Sequence, residues 1–258
     1  TSNNRESVNS NFSINQLPIV SNVIVNTTDV STNDTNQNVT LYFDASDVNS
    51  DPIKNITNWY KDGNSITVLN MPFEKINGTS TNNAWDYSGY GNNGSVSGAT
   101  WNATGGYDGK GSYKFDLGTD LINITYNESL KVNNLTVMAW IKPVTLSGIT
   151  WIVGYPQACN SHDPNYMEYG MWTDEAALHT RIDGDGKGSF GTISTGVWNH
   201  VAISSNGTNT TFYVNGEYLT NGRDFQNGNQ ILNALKYLGD PNFDNPPAGE
   251  KSLEYSKT

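Results

Sequence analysis

Asp86 and Asn92 stand in a glycine-rich stretch, D-Y-S-G-Y-G-N-N-G, where a carboxylate and several backbone carbonyls could gather oxygen ligands around a hard cation. The competing arrangement is a plain turn in which Asp86 and Asn92 accept backbone hydrogen bonds. A second run, Asp183-Gly-Asp185-Gly-Lys-Gly, resembles a calcium loop in outline. It lacks the later oxygen ligands and the closing glutamate of an EF-hand, and reads as a hairpin turn. Asp44, Asp47 and Asp51 cluster at a strand end and read as a solvated loop. The aromatic residues offer different chemistry. Tyr155, Tyr166, Tyr169 and Trp172, within residues 154–175, could stack on sugar rings if they face solvent, or fill a core if they face inward.

The requirements of catalysis are met poorly. His162, His179 and His200 fall in separate segments with no H-x-x-x-H pair, so zinc is not expected. Cys159 and His162 share a loop but have no orienting third group and no oxyanion donor, and His200, alternating with Trp198 and Ala202, reads as a packed residue. Glycoside hydrolysis needs two carboxylates about 5 Å apart in the retaining case. No E-x-D-x-E triplet occurs, and Glu168 and the Asp174-Glu175 pair are not at alternating strand spacing, so a non-enzymatic chain is expected.

Thirteen asparagines fit N-x-S/T without proline: Asn11, Asn26, Asn33, Asn38, Asn55, Asn77, Asn93, Asn102, Asn123, Asn127, Asn134, Asn206 and Asn209. Chance alone would give roughly seven in a chain this rich in Asn, Ser and Thr, so glycosylation of several, and hence an extracellular, cell-surface location, is expected. The formal net charge of −11 with only 14 basic residues argues against nucleic acid and anionic membrane surfaces as partners. No run approaches the roughly 18 apolar residues of a membrane span. Thr1 does not open a signal peptide, so the chain reads as a processed or excised piece. A single cysteine rules out an intramolecular disulfide, which together with the acidity suggests a prokaryotic, archaeal-type surface protein.

The elements that must position these residues are strands. With 25 Gly, 9 Pro and 258 residues, the chain is expected to be all-β with many turns. In residues 196–216, GVWNHVAISSNGTNTTFYVNG, Val201 and Ile203 share one face of a first run and Phe212 and Val214 one face of a second. Asn206-Gly207 and Asn215-Gly216 supply turns, the second leading into Glu217-Tyr218-Leu219. Residues 135–143, LTVMAWIKP, alternate Val137, Ala139 and Ile141 against Met138, Trp140 and Lys142, as in a sheet covered fully on one face only. Residues 1–16 are polar and aperiodic and read as a mobile tail or assembly arm. Residues 17–67 hold three strand-like segments, the last turning at Asp62-Gly63.

The W-N-H-V-A run, the polar turn and the Y-V-N-G close resemble the signature hairpin of laminin-G-like, concanavalin A-like jelly rolls. The stretches M-P-F-E (71–74), D-Y-S-G-Y-G-N-N-G (86–94), G-A-T-W (98–101), G-Y-D-G-K-G-S-Y-K-F-D (106–116) and L-T-V-M-A-W-I-K-P follow in the family's order, so the resemblance covers residues 68–258. It implies a two-sheet jelly roll, a calcium ion at Asp86 and Asn92, and no organic cofactor. Residues 17–67 resemble the first half of an immunoglobulin-like sandwich, with Trp59 as its core tryptophan and the jelly roll inserted in it. The family's usual last strand is not evident in DPNFDNPPAGEKSLEYSKT. It has diverged into residues 250–255, is cut off, or is supplied by a neighbouring subunit. A structural role as a sheath, surface-layer or filament subunit follows, with copies of itself or other surface proteins as partners. The alternative is a carbohydrate- or protein-binding adhesion module.

Overall fold

The computed structural model describes residues 15–32, 34, 36–74, 83–116, 119–125, 127–132, 134–156, 167–182, 185–189, 193–206, 209–219 and 253–256. The chain divides into two units, Thr1–Thr57 and Asn58–Thr258. The division falls before the expected boundary at 67/68. The Asn58 side chain donates to the Ser88 carbonyl at 3.1 Å and the Asn70 amide donates to Asp86 Oδ1 at 2.8 Å, which ties this stretch to the second unit. The first unit holds β1 (Ile19–Thr27) and β2 (Val39–Ser46), paired antiparallel.

The second unit continues with β3 (Tyr60–Lys61), β4 (Asn64–Ser65), β5 (Asn83–Ala84), β6 (Gly94–Ser97), β7 (Thr100–Asn102), β8 (Ser112–Phe115) and β9 (Leu121–Ile124). A 3₁₀ turn, Glu128–Leu130, then precedes β10 (Leu135–Pro143), β11 (Ile149–Pro156), β12 (Met167–Asp174), β13 (Ala177–Ile182) and β14 (Asp185–Ser189). The last strands are β15 (Asn199–Ser205), β16 (Thr210–Val214), β17 (Glu217–Leu219) and β18 (Leu253–Ser256). They form a seven-stranded sheet in the order β17-β16-β15-β10-β18-β8-β7, a four-stranded sheet β11-β12-β13-β14, and a small sheet β5-β6-β9.

Period-two alternation decides which side chains meet between the sheets. Ile141, Val201, Ile203, Phe212 and Val214 from the seven-stranded sheet join Met171 and Leu178 from the four-stranded sheet, with Ile193, in one buried cluster. A second cluster gathers Leu130, Leu135, Tyr169 and Ile182. Each fully buried aliphatic or aromatic side chain contributes about 1.5–3 kcal/mol, so these faces supply most of the driving force. The turn Asn215-Gly216 adopts φ of 53° and 82°, the left-handed pair that joins strands twisted the usual way.

The last strand is present. Leu253–Ser256 lies between β10 and β8, with Ile141 opposite Tyr255 and Tyr255 opposite Tyr113. The expected slot for a neighbour's strand is therefore filled by the chain itself, and of the three readings the diverged strand holds. Trp59, assigned as a core tryptophan by resemblance, is 38% exposed. Its segment leads into the short β3-β4 hairpin.

The M-P-F-E stretch works as a latch. Trp101 Nε1 donates to the Phe73 carbonyl at 2.8 Å, the Gly111 amide donates to Glu74 Oε1 at 3.1 Å, and the Phe73 ring meets Tyr113 edge-on at 5.4 Å. Glu74 is buried, so its carboxylate depends on such donors. Gly111 permits this approach, because a Cβ there would press into the Phe73 carbonyl. Gly111→Ala is expected to cost about 2–3 kcal/mol by urea denaturation. Gly216→Ala, with open space around its Cβ and only a left-handed backbone to penalise it, should cost about 1 kcal/mol. Equal losses would show that the latch contributes nothing.

Candidate functional site

The outer face of the seven-stranded sheet carries an aromatic strip. The residues of β10 that alternate with its core positions are Thr136, Met138, Trp140 and Lys142. The register sets Trp140 opposite His200, Met138 opposite Ala202 and Thr136 opposite Ser204. One strand further, Tyr213 lies opposite Ala202, and Tyr218 opposite Tyr213. The Trp140 and His200 rings are 5.2 Å apart, and Tyr213 and Tyr218 meet edge-on at 5.8 Å. The Thr136 and Ser204 hydroxyls share a hydrogen bond at 2.9 Å, and Asn215 Oδ1 accepts from the His200 amide at 2.9 Å.

Tyr107 reaches this strip from the loop joining β7 to β8. That loop is closed by Gly106 N–H to the Lys110 carbonyl at 2.8 Å and by Lys110 N–H to Asp108 Oδ1 at 3.1 Å. It lays the Tyr107 ring over Trp140 at 3.5 Å, nearly parallel at 11°. Tyr107 is 54% exposed, Met138 51% and Tyr218 54%. Flat, half-wet rings beside hydroxyls and an amide can stack on the C–H face of a sugar while polar atoms meet its hydroxyls.

The aromatic residues singled out in the sequence lie elsewhere. Tyr169 and Trp172 are three residues apart on β12, so alternation sends them to opposite faces. Tyr169 joins the core with Leu135 and Ile182. Trp172 lies on the face away from the core, between Trp151 at 4.7 Å and His179 at 5.6 Å, but is only 7% exposed. The backbone of Tyr155 pairs with that of Tyr169, and Tyr166 lies outside the described residues. Cys159 and His162 are also outside them. Glu168 and Asp174 are in phase along β12, contrary to the spacing argument, but six residues is roughly 20 Å of strand, too far for a hydrolytic pair.

The Asp86 turn is a hydrogen-bonded hub. Oδ1 accepts from the Asn70 amide at 2.8 Å and the Ser88 amide at 2.9 Å, while Oδ2 accepts from the Ser88 hydroxyl at 2.6 Å and the Asn92 amide at 2.9 Å. The Asn92 side chain donates to the Val68 carbonyl at 2.7 Å and to Ser129 Oγ at 2.9 Å. Both carboxylate oxygens thus face donors, and the Asn92 amide acts as a donor too. The set fits a turn better than a calcium cage, whose ligands must all be oxygens turned inward. Among the described residues, no three His, Cys, Asp or Glu side chains are grouped to hold a metal. Asp47 Oδ1 accepts from the Asn49 amide at 2.8 Å, a local turn. Ile182 pairs with Asp185, and residues 183–184 lie outside the described residues.

Of the sequon asparagines, Asn26, Asn38, Asn55, Asn93, Asn102, Asn134, Asn206 and Asn209 are exposed, and Asn123 and Asn127 are half-buried. Asn127 caps the 3₁₀ turn through the Ser129 amide. Asn11, Asn33 and Asn77 lie outside the described residues.

Burial holds both His200 and His179 below the ordinary imidazole value of 6.5, Asp174 partly offsetting this at His179. Their unfolded forms therefore take up protons first as pH falls. The stability tied to the neutral rings is complete above pH 6.5 and drains away below it. Thermal midpoints should fall between pH 7.5 and 5.5, and the double variant His179→Gln, His200→Gln should flatten that slope; the same slope in the variant would refute this origin. Asp86→Ala should lose roughly 2–4 kcal/mol, as four hydrogen bonds to a charged group are removed together. The wild-type midpoint should be the same in millimolar calcium as in chelator, whereas a calcium-dependent rise would restore a cation to this turn.

Comparison with known proteins gives the following. The sequence profile of the concanavalin A-like lectin/glucanases superfamily, laminin-G type, matches residues 116–248. No curated protein matches the chain in sequence. Solved structures similar to it include botulinum neurotoxin type C, described as interacting with two ganglioside molecules, at 12% identity and TM-score 0.45, covering 73% of this chain and 46% of that one. Trypanosoma rangeli sialidase in complex with sialic acid is similar at 13% identity and TM-score 0.44, over 72% of this chain and 30% of that one. Domain 4 of an extracellular arabinanase from Geobacillus stearothermophilus, in complex with arabinotriose, is similar at 18% identity and TM-score 0.41, over 67% and 86%. The chain spans less than half the length of the first two. With its profile match running over half of its residues, the chain belongs to the concanavalin A-like lectin/glucanases superfamily.

Proposed function

We propose that this chain is a non-enzymatic, extracellular module that binds carbohydrate on the outer face of its seven-stranded sheet. The observation that carries the reading is the strip Tyr107, Trp140 and His200, continued by Met138, Tyr213 and Tyr218, of which Tyr107, Met138 and Tyr218 are more than half exposed. Trp140, Tyr213 and Tyr218 are borne by strands and lose little freedom on binding, and the loop that carries Tyr107 is already closed by its own hydrogen bonds. Burial lowers the pKa of His200 and so favours the neutral imidazole, which can both donate to and accept from hydroxyls. The exposed sequons supply the extracellular setting. A second reading, assembly between copies at the cell surface, is favoured by one observation: β1 is exposed along its whole length.

A glycan panel tests the first reading. Wild type should bind at least one oligosaccharide class, and Tyr107→Ala should weaken it about tenfold or more, equivalent to about 1.4 kcal/mol, without moving the thermal midpoint. Trp172→Ala should lower the midpoint instead, as a buried residue. Wild type that binds no glycan, or Tyr107→Ala that binds normally, would sink the reading. Reducing sugar released from a polysaccharide would overturn the non-enzymatic part.

A further inference from the structure

The first unit, taken by itself, is a two-stranded sheet, and such a sheet is marginal in water without a cover. Its register pairs Val20 with Ala45, Val25 with Leu41 and Thr27 with Val39. With Phe43 in phase on β2, one face is therefore lined by Val20, Val25, Val39, Leu41, Phe43 and Ala45, with Thr27 at its end as the one hydroxyl. The other rungs pair Ser21 with Asp44, Ile24 with Tyr42, Asn26 with Thr40 and Ile19 with Ser46, a mixed and largely polar face. Burial follows the same alternation: Leu41, Phe43 and Ala45 are half-buried while Thr40, Tyr42, Asp44 and Ser46 are exposed. Val20, Val25 and Val39 nevertheless stand exposed on the apolar face.

Two features indicate what covers it. No charged residue lies on the apolar face; Asp44 is on the other, where its Oδ2 accepts from the Asn22 amide group at 2.5 Å. The face can thus meet an identical one without like-charge contact, even in a chain of net charge −11. The sequon residue Asn26 also belongs to the polar face, so a glycan there would leave the apolar face clear. We propose that the apolar face of β1-β2 packs on the same face of a second copy of this chain, closing a four-stranded sandwich about a two-fold axis. Two antiparallel sheets pack in this way about 10 Å apart, and a two-fold contact is self-complementary. A face eight residues long and two strands wide buries roughly 1,000 Å² in total, near the lower bound for a specific interface. The dimer is therefore weak and concentration-dependent.

This inference rests on the assembly reading and names its surface. Sedimentation velocity of the full chain, from low to high micromolar concentration, should show mass rising from monomer toward dimer. Val25→Asp or Leu41→Asp should weaken that dimer at least tenfold, and Thr40→Asp, on the polar face, should leave it unchanged. Tryptophan fluorescence melting should be the same in all variants, since the jelly roll is a separate unit. Hydrogen exchange on wild type guards against a variant hairpin that merely unfolds: amides of β1 and β2 should gain protection as concentration rises. A monomer at every concentration overturns both the face and the assembly reading. A dimer that survives Val25→Asp and Leu41→Asp overturns the face alone.

Discussion

The phase of β10 against β15 is the constraint on which the jelly roll depends. Seven consecutive residues are paired, from Leu135 opposite Ser205 to Ile141 opposite Asn199. A slip of one residue would turn Ile141 and Val137 to solvent and drive Met138 and Trp140 between the sheets. Because β10 also pairs with β18, both halves of the seven-stranded sheet inherit the phase of this one strand. The core and the aromatic strip are two results of a single register, since whatever is not sent inward is sent to the outer face.

Hydrophobic alternation does not close the loops; buried side chains bonded to backbone do. Asn199, fully buried, accepts from the Ser194 amide at 3.1 Å and donates to the Ser194 and Val197 carbonyls, both at 2.9 Å, which folds the turn entering β15. Half-buried Asp86 does the same for the turn before β6, and buried Glu74 for the approach of Gly111. Each polar group would be costly if left unpaired in the interior, so each ties its loop to one geometry. The loop that carries Tyr107 begins beside the Glu74 latch, and the reach of that ring to Trp140 follows from the closure.

Much of this was legible in the sequence, and what was missed has physical reasons. The strands of residues 135–143 and 196–219, their inward faces and the Asn215-Gly216 turn follow from alternation and turn chemistry, which are local. The same alternation of Met138 and Trp140 against Ile141 held the signal for the outer strip, but not the identity of its partner. Tyr107 lies 33 positions before Trp140, and only the closed loop brings them together. Tyr155, Tyr166, Tyr169 and Trp172 share only aromatic character and closeness in sequence. Yet Tyr169 and Trp172 differ by an odd number, and an odd number on a strand means opposite faces. The last strand was obscured because residues 253–256 carry no strong pattern of their own. Their place is set by the open edges of β8 and β10. The resemblance gives Trp59 a second sheet to pack on, whereas the strands that follow it, β3 and β4, are two residues each.

The two sheets carry the same device in different states. Each has a tryptophan directly opposite a histidine on a neighbouring antiparallel strand, Trp140 with His200 and Trp172 with His179. In each, the pair stands on the face turned away from the core, and in each burial holds the imidazole pKa below its ordinary value. The difference is access. Trp172 and His179 are both 7% exposed, so that pair is spent on holding Trp151 and its own sheet together. Among the described residues, Trp140 is stacked by Tyr107, which is 54% exposed. An identical pairing therefore serves as structure on one sheet and as a platform on the other, and the cover decides which. The carbohydrate-binding role proposed above is placed on the seven-stranded sheet because Tyr107, Met138 and Tyr218 stand exposed there, whereas Trp172 and His179 are buried.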